Sequence, residues 1–112
     1  MSVSDTSDVV VVLTTLPADT DAASLARTLV DEHLAACVAV LPPMTSVYRW
    51  KGQVEQDREQ QLIIKTTTGG VGALEARLGA LHPYAVPEFV VLDATASVAY
   101  AAWLRGSTTV GG

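Results

Sequence analysis

The side chains here with metal-binding or acid–base chemistry are two histidines, one cysteine and a carboxylate-rich stretch. His82 stands at the end of a helical pattern, just before Pro83-Tyr84. It reads either as an imidazole donor to a divalent cation or as a cap on the helix C-terminus, where the dipole favours positive charge. Cys37 lies in the apolar run Ala35-Ala36-Cys37-Val38-Ala39, where a free thiol is ordinarily inert core and less often a ligand or nucleophile. His33 falls near the end of another helical pattern, close to its apolar side, and reads as packed rather than ligating. The carboxylates Glu55, Asp57 and Glu59 alternate along the chain, the simplest account of which is a solvated strand face. A further set mixes aromatics with both signs of charge: Trp50, Glu59, Lys65, Tyr84 and Glu88, with Tyr48 and Arg49 nearby. Such residues either wall a small-ligand pocket or anchor a subunit contact. Gly69-Gly70-Val71-Gly72 lacks the lysine and spacing of a phosphate loop, and neither a paired-histidine helix motif nor a Gly-x-Ser-x-Gly elbow occurs. A binding or scaffold role is therefore expected, not catalysis.

The elements that position these residues follow from periodicity. Val9–Leu13 is a β-branched run that reads as a central strand covered on both faces. Pro17–Asp21 supplies a turn ending in capping side chains. Ala22, Leu25, Ala26, Leu29 and Val30 then recur at helical spacing, which predicts a helix over about residues 20–33. Ala35–Leu41 is a short apolar run stopped by Pro42-Pro43, and Thr45–Trp50 is rich in strand formers. Trp50-Lys51-Gly52-Gln53 reads as a hairpin turn with Gly52 at positive φ. Glu55–Gln61 has helix-friendly composition and Leu62–Thr68 is strand-like, so propensity leaves the polar stretch open between the two. Val71, Leu74, Leu78 and Leu81 predict a second helix ending at His82-Pro83. Phe89–Leu92 reads as a buried strand, and Val98–Leu104 as a short closing helix. Strand, helix, strand, strand, helix, strand is the α+β, ferredoxin-like βαββαβ sandwich, here with a long hairpin between its second and third strands.

With 112 residues, 49% of them apolar, and mean hydropathy +0.32, one packed domain is expected. Twelve acidic residues against seven basic ones give a charge of −5, which disfavours a nucleic-acid partner. One cysteine forms no intramolecular disulfide, the N-terminal residues lack the basic head of a signal peptide, and the apolar runs are too short to span a membrane. The expectation is a cytoplasmic domain over residues 9–106, with a disordered tail at 1–8 and a flexible one at 107–112.

If residues 53–66 form one strand, it extends roughly 45 Å at about 3.3 Å per residue, beyond the ~35 Å diameter of a compact chain this long. An overshooting ribbon exposes unpaired backbone groups that a partner chain can satisfy, which predicts an oligomer. The alternative is a strand interrupted by a helical turn near Asp57.

Several separated segments carry a resemblance. Val10-Val11-Val12-Leu13-Thr14-Thr15, Leu34-Ala35-Ala36-Cys37-Val38, Thr45–Gly52 with Glu59 beyond, Ile64-Lys65-Thr66 and His82–Glu88 occur in that order. Across about residues 9–105 the chain resembles the CutA family, the divalent-cation tolerance proteins, similar in architecture to PII signalling proteins. The resemblance implies a ferredoxin-like protomer in a homotrimer, with the hairpin strands joining across subunits, and a strand at Glu55–Gln61. It implies divalent-metal tolerance with Cu(II) binding in some members, through a cysteine ending the first strand and two histidines before Pro-Tyr. This sequence has Thr14 and Leu81 at two of those positions and keeps only His82. The resemblance also sets several of Trp50, Glu59, Lys65, Tyr84 and Glu88 around clefts between subunits. A PII-like sensor taking a small anionic ligand there, with Lys65 and Arg49 supplying charge, is the alternative reading.

Overall fold

Strand-forming and helix-forming stretches alternate along the chain, and the elements follow them. The computed structural model describes residues 8–109. The order is β1 (Val9–Pro17), α1 (Ala22–Asp31), β2 (Cys37–Val40), β3 (Met44–Trp50), β4 (Gln53–Thr67), a 3-10 turn (Thr68–Gly70), α2 (Val71–Leu81), β5 (Val90–Asp93) and α3 (Val98–Ser107). The strands form one antiparallel sheet in the order β2-β4-β1-β5, with β3 pairing β4 beyond β2. This is the ferredoxin-like sandwich. Pro42-Pro43, which cannot donate to a ladder, separates β2 from β3 on that edge.

Side chains alternate across the sheet. Val10 and Val12 of β1 and Ile64 of β4 face α1 and α2, and pack with Leu29, Leu74 and Leu78 into the main core. Val9 points the other way and packs with Ala101 and Leu104 of α3. The α1 helix starts at Asp21, whose carboxylate accepts the Ser24 N–H at 3.1 Å. It ends in a Schellman arrangement: His33 takes φ +61, its N–H reaches Val30 O at 3.0 Å, and the Leu34 N–H reaches Leu29 O at 3.0 Å. The His33 Nδ1–H donates to Ser107 O at 3.2 Å, so this imidazole ties α1 to α3.

The β3–β4 hairpin turns on Lys51 (φ +50) and Gly52 (φ +78), the two-residue connection whose twist suits a hairpin. Its strand β4 is continuous over 15 residues, so the polar stretch Glu55–Gln61 is extended, with no helical turn at Asp57. Pairing with β1 stops at Pro17–Glu59, so residues 53–58 have a ladder partner only on β3. The overhang stretches the molecule to 45 × 27 × 23 Å with a radius of gyration of 15.0 Å, against about 13 Å for a compact chain.

One element differs from expectation. Phe89–Leu92 reads as a buried strand, whereas β5 spans Val90–Asp93 at the sheet edge with Val90, Val91 and Leu92 41–46% exposed. It pairs with β1 alone, so its apolar side chains lack the second flanking strand that would bury them within this chain. At the ends, Asp8 pairs with Arg105 at 2.9 Å and α3 continues through Ser107. The expectations for residues 1–7 and 110–112 lie outside the described residues.

Candidate functional site

Residues two apart on β4 share a face, so Gln53, Glu55, Asp57, Glu59 and Gln61 project together. Register adds Met44 opposite Glu59, Tyr48 opposite Glu55 and Trp50 opposite Gln53. The loop from Pro83 to Glu88 crosses the base of this face, stiffened by Pro83 and Pro87. Between loop and hairpin lies a groove of about 690 Å³. Trp50, Glu59, Tyr84 and Glu88 all line it, together with Tyr48 and Gln61.

His82 holds the loop in place. Buried at 8% exposure, it caps α2, its N–H donating to Leu78 O at 2.8 Å. Its Nδ1 accepts the Tyr84 N–H at 3.1 Å, which leaves the ring proton on Nε2 to donate to Thr15 O at 2.6 Å. The two rings of His82 and Tyr84 are 5.0 Å apart. The imidazole thus bolts the loop to the end of β1, and both ring nitrogens are engaged.

Glu59 is buried at 6% exposure and lines the groove. The Tyr84 hydroxyl donates to its Oε2 at 2.7 Å, and among the described residues no cation pairs with it. Burial, the hydrogen bond to Glu59 and the negative charge there push the Tyr84 phenol well above its ordinary pKa. Further out, the Tyr48 hydroxyl donates to Asp57. That hydrogen bond, with desolvation and the acidic neighbours, raises Tyr48 to about 12. Glu88 accepts from Gln61 Nε2 at 3.0 Å, and the same amide donates to Thr14 O at 2.6 Å.

Lys65 is not brought to the groove. It lies six residues along β4 from Glu59, about 20 Å away at strand rise, with its ammonium 5.6 Å from the Tyr100 ring centre. Arg49 projects from the opposite face to Tyr48 and Trp50, and its guanidinium meets Gly52 O at 3.4 Å. Gln61 and Met44 are groove residues that the sequence reading passes over. Once β4 is known to be continuous, period two from Glu59 finds Gln61 and register finds Met44.

The positions implied for copper are dispersed in kind. Thr14 is fully buried on the helix-facing side, in line with Val12 and Leu16, and its hydroxyl has no hydrogen-bond partner. Leu81, the last residue of α2, is partly exposed. Among the described residues no three His, Cys, Asp or Glu side chains converge to hold a metal ion. Cys37 is half-buried and free. No helix among the described residues is long and apolar enough to cross a membrane.

A ferredoxin-like sandwich with an overhanging hairpin, and a groove where that hairpin meets a proline-fixed loop, defines a distinct class of small α+β protein. The sequence profile described as CutA1 divalent ion tolerance protein matches residues 10–107. A divalent-cation tolerance protein CutA from Thermus thermophilus is 48% identical over 99 residues, covering 88% of this chain and 96% of that protein. Among solved structures, CutA1 from Oryza sativa superposes with TM-score 0.87 at 39% identity, covering 93% of this chain and 96% of the other. The PII-like protein CutA from Nostoc, in apo form, gives TM-score 0.83 at 38% identity, covering 89% and 97%. The chain belongs to the CutA1 divalent-cation tolerance family.

Proposed function

We propose that this chain acts in divalent-cation tolerance as a homotrimer, through ligand binding or a scaffold role at the groove and without catalysis. The single observation that carries the oligomer is the half-paired stretch Gln53–Asp57, which leaves a row of backbone donors and acceptors open along one side of β4, beyond the last contact with β1 at the Ala18 N–H to Arg58 O bond of 3.0 Å. The exposed apolar residues of β5 add to it, as do Val47 and Val54 at 63% exposure on the hairpin. The count of three follows the family likeness. The groove is the natural locus for a ligand because its 690 Å³ falls within the usual range for small-molecule sites, with aromatic walls and few polar groups.

Copper binding through His82 is the other reading that the family suggests. A metal at Nδ1 would have to displace the Tyr84 N–H, and one at Nε2 would have to displace the bond to Thr15 O. The groove reading needs no such rearrangement and is preferred. Sedimentation of the purified chain tests the assembly, and a thermal-shift screen of metals against small metabolites tests the groove. Stabilisation by a metabolite supports the groove reading. Stabilisation by Cu(II) that is lost in His82→Ala contradicts it.

A further inference from the structure

We propose that the groove takes an organic cation, an alkylammonium or guanidinium compound, rather than an anion or a bare metal ion. This rests on reading the groove as a ligand site and names its chemistry. The side chains lining it include two carboxylates, Glu59 and Glu88, and no lysine, arginine or histidine. Glu59 is the informative one. A carboxylate at 6% exposure ordinarily has a cation or several donors, yet Glu59 receives one neutral hydroxyl on Oε2, and among the described residues nothing donates to Oε1. The Glu88 carboxylate is held two positions along by Gln61. Asp57 lies on the same face of β4 and adds to the negative potential.

The walls fit the same charge. Trp50, Tyr48 and Tyr84 line the groove, and aromatic faces attract ammonium and guanidinium groups. An ammonium already uses one of them: Lys51 Nζ lies 6.0 Å over the Trp50 ring at the hairpin tip, outside the groove lining. A bare divalent ion needs several oxygen, nitrogen or sulfur donors together, which the described residues do not assemble. Within one chain, an anion in the groove would meet two carboxylates and no positive side chain. A dication suits the pair of acids, because Glu59 and the Gln61 that holds Glu88 are one strand repeat apart, about 7 Å.

The test is calorimetric titration of the full chain with diaminobutane, agmatine and choline, set against butanediol as the neutral isostere and ADP as an anion. The expected result is saturable binding of diaminobutane or agmatine and none of butanediol. Affinity should fall about tenfold in Glu59→Gln and in Trp50→Ala, the loss of one charge-assisted or cation–π contact. Trp50 is half-exposed on the hairpin, so its variant keeps the test available if Glu59→Gln is poorly folded. Binding of ADP with no binding of the cations overturns the ligand class and leaves the groove reading standing. Binding of none of these probes, with the chain folded, overturns both. Cation binding unchanged in both variants overturns the assignment to this groove.

Discussion

Replacing His82 with alanine separates a clamp from a metal ligand. The side chain is buried, its Nε2–H donates to Thr15 O at 2.6 Å, and its Nδ1 accepts the Tyr84 N–H at 3.1 Å. Each hydrogen bond removed contributes about 1 kcal/mol net, and a partner left buried and unpaired adds a desolvation loss of roughly 1–3 kcal/mol. The loop from Pro83 to Glu88 can relax and let water reach one of the two orphaned groups, so a net destabilisation of about 3–5 kcal/mol is expected. Urea unfolding at one fixed chain concentration reads this as a lower midpoint, the concentration being fixed because the proposed assembly would couple to stability. The Tyr84–Glu59 contact loosens with the loop, so binding at the groove should weaken in the same variant. Cu(II) titration should give the same weak affinity in wild type and variant. A stability loss below about 0.5 kcal/mol would refute the clamp, and a loss of Cu(II) affinity would refute the geometry as the reason His82 is there.

Thr14→Val removes a buried hydroxyl that lacks a partner while keeping the shape, and should stabilise the chain by about 1 kcal/mol, read by the same unfolding curves. Gly52→Ala forces a Cβ into φ +78 with open space around it, so the change is purely conformational: about 1 kcal/mol lost, with little change in the β4 ladder by amide exchange. Tyr48, raised to about 12, and Tyr84, also raised, hold protons in the folded state that the unfolded chain releases near pH 10. Their contribution is therefore full below about pH 10 and is lost as pH climbs toward the folded values. Alkaline unfolding curves should show this slope, and Tyr84→Phe together with Tyr48→Phe should flatten it.

The sequence shows how much of the fold is local. The turn at Lys51-Gly52 and the second helix over Val71–Leu81 are legible because turn chemistry and a 3.6 period need no tertiary information. The polar part of β4 is not, since residues 53–58 are exposed on both faces and carry no alternation of apolar and polar. What extends them is pairing with β3 and a register set from the far end of the strand. The edge strand β5 misleads in the opposite sense: three consecutive apolar residues read as buried, whereas one flanking strand within the chain leaves them exposed. In the candidate site, Trp50, Glu59, Tyr84 and Glu88 are recognisable by type, but the bond from Tyr84 to Glu59 joins residues 25 apart, and no local pattern encodes it. Lys65 shares the odd face of β4 with Glu59, and only strand length shows that the two are too far apart to meet within one chain.

The overhanging hairpin is expected to be completed by other copies of the same chain. Sedimentation equilibrium across a dilution series measures this directly. The expected result is a single species of three times the 11.7 kDa chain mass that persists on dilution. A folded species at the mass of one chain, with native circular dichroism, would contradict it.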